Sequence, residues 1–150
     1  MSLSTTLFIA FLLHLLGDYV LQSDWMATRK VKPTPNTAGK LPHSHGESWL
    51  AAAAHAAMYT VPFLLITQSP LALLIIGGTH LVIDHWRLAR WVVWARNHIG
   101  RRATWVPRAE VHANSGSGAK TPAGLATAVM IVTDNTIHLI INTLTLWWLA

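Results

Sequence analysis

The chain contains no cysteine, which excludes disulfides and thiolate metal sites. It is also short of charge. Only 11% of its 150 residues are Asp, Glu, Lys or Arg, against about 25% in ordinary soluble domains. Acidic residues are the scarcest, six in all. The opening "MSLSTT" carries none of the basic residues of a signal-peptide n-region, so the apolar segment that follows is expected to be retained. What remains is apolar: 52% of residues are hydrophobic and the mean hydropathy is +0.37, which points to lipid as the main solvent.

Four apolar stretches stand out, at about residues 3–22, 49–67, 71–88 and 123–148. A spanning helix needs roughly 20 mostly apolar residues. The expected architecture is therefore a single all-α membrane domain over 1–150, a four-helix transmembrane bundle. Two polar loops, about 28–48 and 90–122, separate the helices, while the second and third are joined by little more than "QSP". The first loop holds three prolines and two glycines, and the second holds "NSGSGAKTP".

The basic residues test this topology. All 11 Lys and Arg fall in the two long loops or at their edges, from Arg29 and Lys30 to Arg108 and Lys120. With four spans those loops share one side, and loops rich in Lys and Arg stay cytoplasmic. Both termini are then outside. This segregation argues against reading the pI of about 10.3 as nucleic-acid binding. Trp25, Trp49, Trp86, Trp91 and Trp94 would mark the inner interface, and Trp147 and Trp148 the outer one. In "RLARWVVWARNHIGRR" (87–102), Arg87, Arg90, Trp94 and Arg101 fall on one helical face. That suits an interfacial basic helix touching lipid phosphates, with Arg87, Arg90 and Arg101 as candidates to hold an anionic head group.

Each expected span also carries a polar pair four residues apart, a spacing that puts both side chains on one helical face. The pairs are His14 and Asp18, His55 and Tyr59, His80 and Asp84, and Asp134 and His138. An aspartate at membrane depth costs about 2.5–3.5 kcal/mol, so three would cost about 8–10 kcal/mol, comparable to a domain's whole stability. No Lys or Arg lies in the interior of the spans to offset this; Arg87 stands at the inner edge of the third. Histidine protons or a metal ion are left to do so, and His-plus-carboxylate sets on facing helices are how bundles build metal sites. His14, Asp18, His80, Asp84, Asp134 and His138 are the expected ligands, for one or two divalent ions. Mixed nitrogen and oxygen donors favour Zn²⁺, with Fe²⁺ and Mn²⁺ as alternatives. His55 is a ligand or general base, Tyr59 a donor to a developing oxyanion, and Gln22 a group that orients Asp18.

At "HLLGDYVLQSDWM" (14–26), "HAAMY" (55–59), "HLVIDHWR" (80–87) and "DNTIH" (134–138) the sequence resembles domain of unknown function 3307, small integral membrane proteins of bacteria and phages. The resemblance spans nearly the whole chain. It implies a multi-span protein of the bacterial inner membrane with a polar site. A looser similarity, of motif style alone, runs to membrane-bound metal-dependent hydrolases. Three functions are weighed. The first is a metal-dependent hydrolase acting on a lipid or lipid-linked phosphate or ester from the cytoplasmic leaflet. The second is a proton or divalent-cation transporter, although the polar residues cluster inward instead of lining a path to both faces. The third is a non-catalytic module such as a phage holin or regulatory partner, which leaves three buried aspartates unexplained. Membrane lipids are the expected partners, with self-association left open.

Overall fold

A computed structural model describes residues 2–33, 43–100, 102 and 105–149. All regular structure among these residues is helical. The order is α1 (Leu3–Leu15), a π-helical turn (Leu16–Val20), α2 (Asp24–Arg29), α3 (His45–Thr60), a 3-10 turn (Val61–Leu65), α4 (Pro70–Trp86), α5 (Ala89–Asn97), a 3-10 turn (Arg108–Glu110) and α6 (Ala123–Leu149).

Local chemistry sets the boundaries. Ser2 caps α1, accepting from the Thr5 amide. Ser44 and Glu47 form a reciprocal capping box, so α3 starts at His45, four residues before the apolar run that marks the second span. Pro62 follows α3 and leads it into the 3-10 turn. Pro70 opens α4, where its missing N–H costs nothing. Ser23 caps α2, accepting from the Met26 amide, and Asp24 lies in its first turn. This short helix was not expected from the sequence, although "SDW" carries the cap signal.

Among the described residues two helical segments, His45–Leu65 and Ala123–Leu149, are each long and apolar enough to cross a membrane. The first segment, Ser4–Val20, and α4, at 17 residues, are apolar but shorter.

The chain divides into two compact units. The first comprises residues 1–86 and 138–150. Its core is Ala10, Leu13, Tyr59, Phe63, Ile76 and Leu146, flanked by Ile9, Leu16, Ile66 and Leu73. A buried side chain of Leu, Ile or Phe size contributes about 1.5–3 kcal/mol. In this unit α3 packs against α2 and α4, and its Ala51, Ala52 and Ala56 are buried. Small side chains there suit close helix approach. Gly17, in the π turn, meets the backbone of α3: a Cβ there would lie 2.9 Å from Tyr59 Cδ2 and 3.0 Å from Tyr59 Cα.

The second unit, residues 87–137, contains α5 and the first half of α6. The sequence suggested one basic helix through 87–102, but the helix is shorter. Arg87 adopts a left-handed φ of 50°, and α5 starts at Ala89 and ends at Asn97. Trp94 Nε1 donates to the Val106 carbonyl at 2.8 Å, and Asn97 Nδ2 to that of Gly116 at 3.1 Å. Gly116 has φ 82°, and a Cβ on it would meet the Arg90 carbonyl oxygen at 2.1 Å. Arg90 is buried, its Nε donating to the Arg87 carbonyl and its fork to His112 Nδ1. Burial and the Arg90 charge push the His112 imidazole below its usual value, which keeps Nδ1 an acceptor. The guanidinium assigned to head groups is therefore engaged within its own unit.

Replacing Gly17 with Ala is expected to lower stability by about 1–3 kcal/mol, since the new methyl meets the Tyr59 backbone as well as its ring. Thermal unfolding in detergent checks this.

Candidate metal centre

The site in the first unit is assembled from three separate stretches of chain. Asp18 comes from the π turn, His55 from the middle of α3, His80 and Asp84 from the last two turns of α4. All four are buried. His55 Nε2 lies 3.2 Å from Asp18 Oδ1, 3.2 Å from Asp84 Oδ2 and 2.9 Å from His80 Nε2. His80 Nε2 is 3.4 Å from Asp84 Oδ2 and 3.8 Å from Asp18 Oδ1. One donor atom from each residue lies within 4.8 Å of all the others, a grouping able to hold a metal ion. A fifth group, His138 from α6, places Nε2 3.4 Å from the other Asp84 oxygen, Oδ1.

Proton counting shows what is unusual here. One hydrogen on His55 Nε2 would face three acceptors at 2.9–3.2 Å: His80 Nε2 and a carboxylate on either side. A single proton serves one of them well, whereas a cation among them serves all. The far nitrogens, Nδ1 of His55 and Nδ1 of His80, are buried and have no hydrogen-bond partner among the described residues. The polar interactions of both rings therefore pass through Nε2, on the cluster side.

The cluster also has an ammonium that the sequence reading did not place there. Lys30 Nζ lies 2.5 Å from Asp84 Oδ2, 2.5 Å from Gln22 Oε1 and 4.0 Å from Asp18 Oδ1. Lys30 caps the C-terminus of α2 and reaches the cluster from outside the apolar segments. This corrects the expectation that no lysine or arginine offsets the aspartates. Read as a topology signal, Lys30 gave no hint of pointing inward. Gln22 acts through it: instead of orienting Asp18, its carbonyl accepts from the Lys30 ammonium.

His14 sits elsewhere. Its Nδ1 lies 2.8 Å from Tyr59 Oη, which also accepts from Asn142 Nδ2 at 2.6 Å. The π turn explains why His14 and Asp18 part company despite their spacing. It closes through the Leu21 amide to the Leu16 carbonyl, a wider turn that breaks the register stacking position 18 over position 14. The hydroxyl assigned to an oxyanion is thus tied to His14 and Asn142, while the Tyr59 ring stacks on His80 at 3.6 Å and 12°. His55, weighed as a ligand or general base, stands at the middle of the donor group. Asp134 lies on α6 one turn before His138 and is half-buried. Arg87 is exposed, Arg90 is buried, and Arg101 lies outside the described residues.

Fold and centre together define an all-helical protein with membrane-length apolar helices and a buried His/Asp cluster able to hold a metal ion. The family described as protein of unknown function (DUF3307) matches residues 6–141, and the chain belongs to it. No curated protein and no solved structure matches the chain.

Tyr59→Phe leaves His14 Nδ1 and Asn142 Nδ2 without the oxygen they share. A loss of about 1–3 kcal/mol is expected, read by thermal unfolding, with metal content unchanged because the hydroxyl is not among the four donors.

Proposed function

We propose that the chain is a four-helix integral protein of the bacterial inner membrane that binds a divalent metal and hydrolyses a lipid or lipid-linked phosphate or ester. His45–Leu65 and Ala123–Leu149 would be two of the spans, with the α1–π segment and α4 completing the bundle. The long loops holding the basic residues would face the cytoplasm.

The observation that carries the metal reading is the spacing of the donors. Around a tetrahedral zinc with bonds of 2.0–2.1 Å, ligand atoms stand about 3.3–3.4 Å apart. The five separations given above run from 2.9 to 3.8 Å. Two carboxylates also balance one divalent charge, and nitrogen and oxygen donors without sulfur suit Zn²⁺ ahead of Fe²⁺ or Mn²⁺. Asp18, His55, His80 and Asp84 would hold the ion, which would supply Lewis acidity and activation of water.

The remaining roles fall to the chain itself. A hydrolytic centre keeps one position open. Asp18 is the ligand best placed to yield one, since it rides on the irregular π turn and stands furthest from His80. His138 faces the free oxygen of Asp84 and would hold that carboxylate in orientation. Tyr59, fixed by His14 and Asn142, would keep the His80 ring plane in place.

A second reading, divalent-cation or proton transport, draws on Lys30. A lysine ammonium on the same carboxylates would be a built-in competitor for a passing cation. Hydrolysis is favoured because the donor groups gather at one point.

Detergent-purified protein is expected to carry about one zinc per chain, as four donors imply, and to release phosphate or fatty acid from lipid substrates. Asp84→Asn should lose both the metal and the activity while keeping its helical circular dichroism. Folded wild type that takes up no divalent metal would remove this reading. Ion flux in liposomes without hydrolysis would select the second.

A further inference from the structure

We propose that Lys30 is the anion-binding residue of this site and that the group it takes is a phosphate oxygen. The substrate would then be a phosphate ester instead of a neutral ester. This rests on the metal-binding reading above and goes one step past it.

The position of Lys30 is built. Its carbonyl lies 2.9 Å from His85 Nδ1, and the Lys32 amide donates to the His85 carbonyl at 2.8 Å. These two bonds clip residues 30–32 to the end of α4, next to Asp84. The Lys30 side chain is 15% exposed, against 9% or less for the side chains of Asp18, His55, His80 and Asp84. It is the most exposed charged member of the group. Gln22 Oε1 also holds the ammonium, at 2.5 Å.

Charge then decides what Lys30 does. With neutral histidines, two aspartates and one lysine sum to −1. A divalent ion on the four donors brings the sum to +1. The ion also takes the Asp84 oxygen that the ammonium touches in its absence. An ammonium has three donors and no acceptor. Released from Asp84 and still held by Gln22, it is left with donors to spare beside a net-positive site. An oxyanion with several charged oxygens matches that arrangement, since charge-assisted bonds to phosphate are among the stronger contacts a lysine makes. A neutral carboxylic ester would leave the ammonium half-buried and unpaired, at a desolvation cost.

The shared chemistry is a phosphate group, whether free or on a lipid, and the test separates the two. Zinc-loaded protein in detergent is titrated calorimetrically with inorganic phosphate and, separately, with a short-chain phosphatidic acid. Wild type should bind phosphate. Lys30→Gln should keep its zinc but bind phosphate about tenfold or more weakly, the loss expected for one charge-assisted bond. Lys30→Arg should stay within a few-fold of wild type. Tighter binding of the phosphatidic acid assigns the group to a lipid, and tighter binding of the inorganic ion assigns it to a soluble ester. If Lys30→Gln keeps both zinc and full phosphate affinity, the proposal falls while the metal reading stands. If folded wild type takes up no zinc, both fall. Should Lys30→Gln fail to fold, Lys30→Arg decides: loss of phosphate binding with zinc retained would overturn the proposal, since a guanidinium keeps the charge.

Discussion

A carboxylate removed from water needs a positive charge beside it, and here two carboxylates need the same one. Asp18 and Asp84 are 66 positions apart in sequence, yet both lie against His55 Nε2 at 3.2 Å and both within 4.0 Å of the Lys30 ammonium. Breaking such a buried arrangement by removing one member is costly, because it strands the others. The constraint therefore fixes more than the site. It decides how far along α4 the π turn lies and where α2 ends. It also explains why residues 30–32 are clipped to His85. In a bilayer this matters more than in water. Lipid tails are as apolar as leucine, so burying leucine against leucine does little to choose one helix register over another.

Beneath the charged group lies a neutral one, and the two meet at His80. Tyr59, His14 and Asn142 share a hydroxyl among the core side chains Leu13, Phe63 and Ile76. The Tyr59 ring stacks on His80, whose Nε2 belongs to the charged group. A rotation of His80 would have to break that stacking. The neutral layer thus orients the charged one, as groups behind a metal ligand commonly do. Gly17 serves both layers: the absence of its side chain lets the π turn reach the Tyr59 backbone, and that contact delivers Asp18 to His55.

Much of this was legible in the sequence, and the parts that were not share a cause. Pro70 and Pro122 mark the starts of α4 and α6 closely, because a proline at or just before the first turn is a local signal. Asp18, His80 and Asp84 could be picked out because ionisable residues in apolar segments are rare. Their grouping with His55, and not with His14, was not readable: periodicity assumes an unbroken α-helix, and the π turn changes the register between positions 14 and 18. Lys30 was missed for a similar reason. A lysine just beyond a span normally extends its charge toward water. Only the position of α2, a helix of six residues, turns this one inward.

Interhelical hydrogen bonding is the plainest alternative account of buried polar residues in such a helical bundle, and geometry weighs against it. Hydrogen-bonded glue pairs donors with acceptors and spreads the pairs along the helix contacts, as Tyr59 with Asn142 does. Around His55 the reverse holds. Acceptor-rich atoms from three elements crowd within a few ångströms, the outward Nδ1 atoms of both rings have no partner among the described residues, and the ammonium lies close to one carboxylate oxygen only, Asp84 Oδ2. A set of groups chosen for adhesion would not concentrate its lone pairs at one point. Concentration of that kind favours something positive and small at that point, and a divalent ion suits two carboxylates and two imidazoles at these separations.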